Sequence, residues 1–325
     1  MKARKSARLF LGCAAFALAG CTGRAPVVGP EGRRPIPLQT FWAGLPPATS
    51  SAEARGEVAL RPPLEGRIAM PGGSFVMGSS PLEIERAMLS CKSEQLGVHC
   101  EESAEIQQEL RAEAPAHEVT LSPYAIDRTE VTVAAYARCV SAGACRAPTR
   151  GTHDPRWNRP DLPVTYVDWE AASTFCAWAH GRLPTEAEWE LAARGTEERA
   201  YPWGNIYNPY LCNHGAFASD PTDATDGFTG LAPVGSFLDG GTPLGVLDLA
   251  GNAAEWVQDR YNPTPEGFGY DSASQLNPKG PPFGVGHVVR GGSYLEGVAW
   301  MRGAARRRGV GPSAEVGFRC AADVR

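Results

Sequence analysis

Polar and apolar positions change character three times along the chain. Residues 9–18 form an apolar run of ten behind Lys2, Arg4, Lys5 and Arg8. A run of that length is too short for a membrane-spanning helix. With its basic start and small residues after it, residues 1–20 read as a secretory signal. Residues 22–66 then hold eight prolines and little apolar periodicity, which predicts an extended tether over 21–66. From residue 67 the pattern becomes that of a folded domain, 67–325, built from short pieces. Thr132 predicts the start of a helix ending at Gly143. Asp168 predicts a second, with Phe175, Trp178 and Ala179 on one face and Gly181 beyond it. Thr185 and Glu188 form a capping box for a third, closing at Gly195. Strands are predicted at 67–70, 74–78, 117–127, 233–237, 287–291 and 316–322. Few helices among many irregular connections make the domain α+β.

Residues 82–113 interrupt this plan. They carry eight acidic and three basic residues, and their net charge of −5 equals that of the whole chain. Ser80-Pro81-Leu82-Glu83 reads as a capping box with proline at the first helical position. The segment is expected to be an inserted helical hairpin.

Composition narrows the function classes. The chain has 325 residues, 43% hydrophobic and 21% charged, with 37 Gly and 28 Pro. This excludes a coiled coil, a collagen-like chain and a wholly disordered polymer. No long basic stretch occurs, so no nucleic-acid partner is expected. There is no G-x-S-x-G elbow, P-loop or HExxH motif, and the six histidines (99, 117, 153, 180, 214 and 287) are scattered.

The nine cysteines divide unevenly. Leu18-Ala19-Gly20-Cys21 resembles a bacterial lipobox, which implies that Cys21 is lipidated and that the membrane is a partner. An exported lipoprotein at the outer membrane or cell envelope is therefore expected. Cys13 leaves with the signal. An oxidising compartment permits disulfides. Cys139 with Cys145 and Cys91 with Cys100 bracket short loops, Cys176 and Cys320 can staple the C-terminus to a helix, and Cys212 is left over. No CxxC pair supports a zinc or thioredoxin-like site.

Seven segments appear in a telling order: MPGGSFVMGS at 70–79, IDRTEVTVAAY at 126–136, the run ending GRLPTEAEWELAARG at 181–195, YPWGN at 201–205, DLAGNAAEW at 248–256, RGGSY at 290–294 and GFRCA at 317–321. Together they resemble the sulfatase-modifying-factor family, the formylglycine-generating-enzyme domains, over nearly all of 67–325. The resemblance implies an irregular fold like that of C-type lectins, with low regular secondary structure and structural calcium. It implies one calcium site from the side chains of Asn213 and Asp226 with the carbonyls of His214 and Phe228. A second is implied from Asp248, Asn252 and Glu255 with the carbonyl of Ala250. Oxygen ligands of this kind suit calcium. It also implies that Cys320 is the structural disulfide partner of Cys176. The residues themselves permit plainer roles: Thr185 and Glu188 cap a helix, and Trp189, Trp203 and Trp256 fill a core.

One departure bears on chemistry. The family's enzymes hold copper(I) on two cysteines five residues apart, just after the G-G-S-aromatic motif. Here Glu296 and Met301 stand at those positions. A hard carboxylate and a weak thioether cannot replace a redox thiolate, so copper and formylglycine formation are not expected. Arg302, Arg306, Arg307 and Arg308 follow. They can line a cleft for an anionic ligand, or they can pair with the acidic surface, including the 82–113 insertion. The expectation is a membrane-anchored, non-catalytic, calcium-stabilised module binding an envelope protein, peptide or glycan. The alternative is an oxidoreductase with a non-standard metal site, such as Glu296 with a histidine brought near by folding.

Overall fold

A computed structural model of the chain describes residues 66–94, 103–215, 224–264 and 269–324. The expected signal, with Cys21 and all of the expected tether but Gly66, lies outside the described residues. Capping chemistry starts the helices. Ser80 and Glu83 bond reciprocally, Ser80 N–H to Glu83 Oε2 at 2.8 Å and Glu83 N–H to Ser80 Oγ at 3.3 Å, opening helix α1 (Pro81–Glu94). Ser103 caps α2 (Ala104–Arg111), so the insertion does contain two helices. Thr132 accepts from Ala135 N–H to start α3 (Val133–Ser141), and Asp168 accepts from Ala171 N–H to start α4 (Trp169–Trp178). The Thr185–Glu188 capping box opens α5 (Glu186–Arg194), which stops at Gly195, where φ is 64°.

Among the described residues, ten short strands make three small sheets. β1 (Arg67–Met70), β4 (Tyr124–Asp127) and β10 (Ala321–Asp323) form one, with β4 central. β2 (Gly73–Met77), β3 (His117–Leu121) and β6 (Gln275–Leu276) form the second. The third has the order β8 (Arg306–Gly309), β7 (His287–Arg290), β5 (Ala254–Arg260), β9 (Val316–Phe318). The expected strand 117–127 is therefore two strands in different sheets, parted at Ser122-Pro123, because proline cannot donate to a ladder. The expected strand 316–322 likewise splits between sheets. No strand forms at 233–237: Pro233 opens that stretch and Gly235 has φ 75°. The local pattern does not announce β5 and β8, since Glu255, Gln258, Asp259 and three arginines interrupt any alternation.

Two apolar clusters carry the core. One joins α3 and α4 to Trp256 and Phe318; the other sets α5 and its Trp189 against Phe75, Val119, Ile126 and Leu249. Disulfides join Cys139 to Cys145 and Cys176 to Cys320. The second ties α4 to Cys320, in the two-residue link between β9 and β10. Cys91 is disulfide-bonded; Cys100 lies outside the described residues. Cys212 is buried as a thiol. Among the described residues no helix is long and apolar enough to cross a membrane.

Helix α5 is buried on every side, charged residues included. Arg290 meets Glu190 at 2.5 Å and Glu186 at 3.3 Å, while Arg306 grips both oxygens of Glu186 at 2.7 and 2.8 Å. Arg194 meets Glu190 at 2.8 Å and the Gly78 carbonyl at 2.7 Å. Buried charges persist where they are paired and hydrogen-bonded, and here the pairs bolt α5 to β7 and β8. The run LPTEAEWE is thus structural.

Candidate functional site

The segment after β7 turns at Gly291 and Gly292, both at positive φ, and brings Ser293, Glu296 and Met301 inward. Glu296 N–H donates to the Ser293 carbonyl, and the Glu296 carbonyl accepts from Gly215 N–H, each at 3.0 Å. Glu296 Oε1 meets Arg307 Nη1 at 2.5 Å, with 12% of the glutamate side chain exposed. Its Oε2 is buried without a hydrogen-bond partner. Burial outweighs the attraction of Arg307, and Glu315 and Glu109 add repulsion, so its pKa is pushed up to about 7.

Met301 is sealed. It packs with Tyr201, Cys212, Ala250 and Val298, and its side chain lies against two glycines. A Cβ at Gly251 would stand 3.2 Å from its Sδ, and one at Gly292 3.1 Å from its Cε. Larger residues at either position would crowd this thioether and strike backbone, the Asn213 carbonyl oxygen 1.9 Å from a Cβ at 251 and the Trp300 carbonyl oxygen 2.9 Å from one at 292.

The four arginines divide. Arg302 makes a paired-fork contact with Glu113, Nη1 to Oε2 at 2.7 Å and Nη2 to Oε1 at 2.6 Å, while Ser79 Oγ also donates to Glu113 at 2.6 Å. Arg306 is consumed by Glu186. Arg307 meets Glu296 and lies 5.7 Å from the Trp300 ring centroid. Arg308 is exposed. Arg302 and Arg306 are therefore structural cations rather than an open anion cleft, and the 82–113 insertion supplies the partner of Arg302. The insertion also roofs this segment: Ala87, Leu110, Met88 and Ile106 pack on Trp300 and Ala305, and Cys91 on Ala299.

The expected calcium ligands also divide. Asn213 donates to the Gly230 carbonyl and to Asn252 Oδ1, both at 2.9 Å, while its own Oδ1 is buried without a hydrogen-bond partner. Asp226 accepts from His214 N–H at 2.7 Å and Phe228 N–H at 2.8 Å, which draws the four residues expected at one site together. The buried, unpartnered Asn213 Oδ1 is an oxygen of the kind a hard cation takes, although both Asp226 oxygens already accept backbone N–H bonds. The other set fits poorly. Both oxygens of Glu255 are held by Arg319 at 2.6 and 2.7 Å, and one accepts from Trp189 Nε1 at 2.8 Å. Asn252 Oδ1 accepts from Asn213 and Ala232 N–H. Asp248 Oδ2 accepts from Gly235 N–H at 2.6 Å, and Ala250 is buried beside Met301. The side chains of Asn252 and Glu255 thus brace the fold. Among the described residues no group of three or more His, Cys, Asp or Glu converges on one point.

Sequence reasoning gave Glu130 no role. It is buried, its Oε1 accepts from Asn252 Nδ2 at 3.0 Å, and its Oε2 has no hydrogen-bond partner. Burial, with Asp248 and Glu255 nearby, holds its pKa well above the usual carboxylate range. Nothing in the local pattern of Thr129-Glu130-Val131 announces a partner 122 positions away.

The geometry defines an irregular α+β domain whose motif residues build a core and whose G-G-S segment presents a carboxylate and a thioether. A family model described as the sulfatase-modifying factor enzyme 1-like domain matches residues 54–324, and the chain belongs to that family. It is 32% identical over 330 residues to a formylglycine-generating enzyme of Streptomyces coelicolor, covering 86% of this chain and 96% of that protein. It is 38% identical over 174 residues to the inactive C-alpha-formylglycine-generating enzyme 2 of Mus musculus, half the length of each. Among solved structures, PvdO from Pseudomonas aeruginosa superposes with a TM-score of 0.57 at 23% identity, covering 79% of this chain and 94% of PvdO. This likeness places the fold with the C-type-lectin-like architecture expected from sequence.

Proposed function

We propose that the chain is a non-catalytic sulfatase-modifying-factor domain, a calcium-stabilised binding module held at the cell envelope by a lipid on Cys21. The observation that carries the reading is the state of the two positions after the G-G-S motif. Glu296 is engaged by Arg307, Met301 is enclosed in apolar contacts, and neither offers a thiolate to cycle between redox states. A mouse relative named as inactive is consistent with a family that keeps its scaffold without its chemistry. Asn213 and Asp226, with the carbonyls of His214 and Phe228, are the residues that would hold calcium. The ion would cross-link the chain around 213 to that around 226 and stiffen the loop beside the G-G-S segment.

One observation favours the alternative, an oxidoreductase with a non-standard metal site: Cys212 lies in the same cluster as Met301, setting a thiol near a thioether. A single assay separates the readings. The purified chain is given copper(I), oxygen and a cysteine peptide derived from a sulfatase, and the peptide is weighed by mass spectrometry. An unchanged peptide is expected. Conversion of its cysteine to the aldehyde overturns the proposal.

A further inference from the structure

Two neighbouring loops present apolar side chains to solvent. Phe283 is 79% exposed, Val285 65% and Val310 82%. The loops are adjacent by several contacts. His287 of β7 pairs with Gly309 of β8. A Cβ on Gly286 would stand 2.9 Å from the Gly309 carbonyl oxygen and 3.7 Å from Arg308 Cγ. The strand end is pinned from the other side, since Val285 N–H donates to the Tyr261 carbonyl at 2.9 Å and Tyr261 N–H to the Gly286 carbonyl at 3.1 Å. Gly284 lies against Arg260, whose Cβ would be 2.9 Å from an added Cβ. Exposed Arg260 and Arg308 therefore flank the apolar tip.

The charge pattern is one-sided. Residues 279–287 read KGPPFGVGH and residues 306–314 read RRRGVGPSA, with no acidic residue in either stretch. The acids that approach are engaged beneath or beside the tip. Asp259, buried under Gly280, accepts from Glu186 N–H, and Glu109 accepts from the Arg308 backbone. Arg260 and Lys279 make no ion pair among the described residues.

We infer that the tip formed by Phe283, Val285 and Val310, flanked by Arg260 and Arg308, docks this domain on an anionic phospholipid surface. Such high exposures describe protruding side chains rather than the wall of a groove, and protruding apolar groups gain by entering the acyl boundary. Flanking cations gain from anionic headgroups at the same depth. A protein partner or a second copy would need a wider complementary surface than these few side chains supply. The contact is separate from the lipid expected on Cys21 and does not depend on it.

The test uses the full chain with Cys21→Ser throughout, so that no acyl chain contributes. Phe283→Trp places a fluorophore at the tip. With vesicles of phosphatidylcholine and phosphatidylglycerol its emission should shift to the blue and be quenched by brominated lipid. Vesicles of phosphatidylcholine alone should give little of either. In sedimentation, Phe283→Ser with Val285→Ser and Val310→Ser should weaken partition into the anionic vesicles by about tenfold. Arg260→Ser with Arg308→Ser should weaken it further at low salt. The substitutions are at exposed positions, and circular dichroism checks the fold. If the emission of the Phe283→Trp variant neither shifts nor is quenched, the inference is overturned. So it is by concentration-dependent self-association that the triple variant abolishes while vesicles bind nothing, which would make the tip an interface between copies.

Discussion

Replacing Glu296 by glutamine should flatten part of the protein's dependence on pH. Burial holds the Glu296 carboxyl protonated to about pH 7, against an ordinary value of 4.5. Between those values the folded state keeps a proton that the unfolded chain has released. The resulting stabilisation is complete below about pH 4.5 and is lost as pH rises through about 7. At about 1.4 kcal/mol per pH unit the loss comes to roughly 3 kcal/mol. Glu296→Gln keeps the shape and cannot ionise, so this part of the slope disappears. Arg307 then loses a charged partner, but 21% of its side chain already reaches solvent, so water takes over much of its solvation. The measurement is urea unfolding of both proteins at pH 5 and pH 8. Wild type should lose roughly 2.5 kcal/mol more than the variant between the two. Asp259, which burial and Glu186 also push up to about 7, adds a parallel loss in both proteins and cancels in the difference. If the two slopes agree within about 1 kcal/mol, Arg307 keeps Glu296 ionised and the reasoning about this position fails.

Four further outcomes are expected. Glu113→Ala strands Arg302 in a site where 11% of its side chain is exposed, which should cost about 3–5 kcal/mol and lower Tm by roughly 10 °C; replacing both partners by apolar residues should cost much less. Cys176→Ser with Cys320→Ser opens a loop closed across 144 positions, and chemical denaturation should show a loss approaching about 5 kcal/mol. Chelation should lower Tm, by the equivalent of about 3 kcal/mol when calcium stood at a hundred times its Kd, and Asn213→Ala should remove that response; an unchanged melt with no calcium in the purified protein contradicts the ion. Cys21→Ala should move the chain from the membrane to the soluble fraction when cells are fractionated in high salt, which also weakens the headgroup contact of the tip.

Signals that act within one turn of chain were legible. Thr185 and Glu188 stand three residues apart and bond each other, so the start of α5 is written locally, as are the caps at Thr132 and Asp168. The carboxylate and thioether at Glu296 and Met301 were equally plain, because a fixed motif precedes them. What could not be read is what depends on distant partners. Glu255 and Asp259 look like surface residues in β5 until Arg319 and the N-terminus of α5 arrive to satisfy them. The misplaced strand at 233–237 has the same origin. The chain enters that stretch from the interior, with Leu231 and Ala232 buried, but Ala232 N–H is spent on Asn252 and Gly235 N–H on Asp248. Val234 N–H goes to the lone Asp161 carbonyl at 3.0 Å, so the backbone there has no ladder to join.

Those distant pairs also explain how the domain can hold its shape whatever residues follow the G-G-S motif. Arg290, Arg306 and Arg319 close on Glu186, Glu190 and Glu255 around α5 and β5, and none of these contacts passes through Glu296 or Met301. A thioether fills apolar space as readily as a thiol, and a carboxyl can be carried where burial keeps it protonated. Contacts to the insertion do pass through this segment: Trp300 lies under Ala87 and Leu110, and Arg302 is held by Glu113. The two insertion helices therefore depend on residues 299–305 for their footing, and the segment depends on those helices to bury Trp300. Cysteines placed at 296 and 301 would leave these contacts untouched, because Ala87 and Leu110 reach Trp300 and Glu113 reaches Arg302 without either side chain.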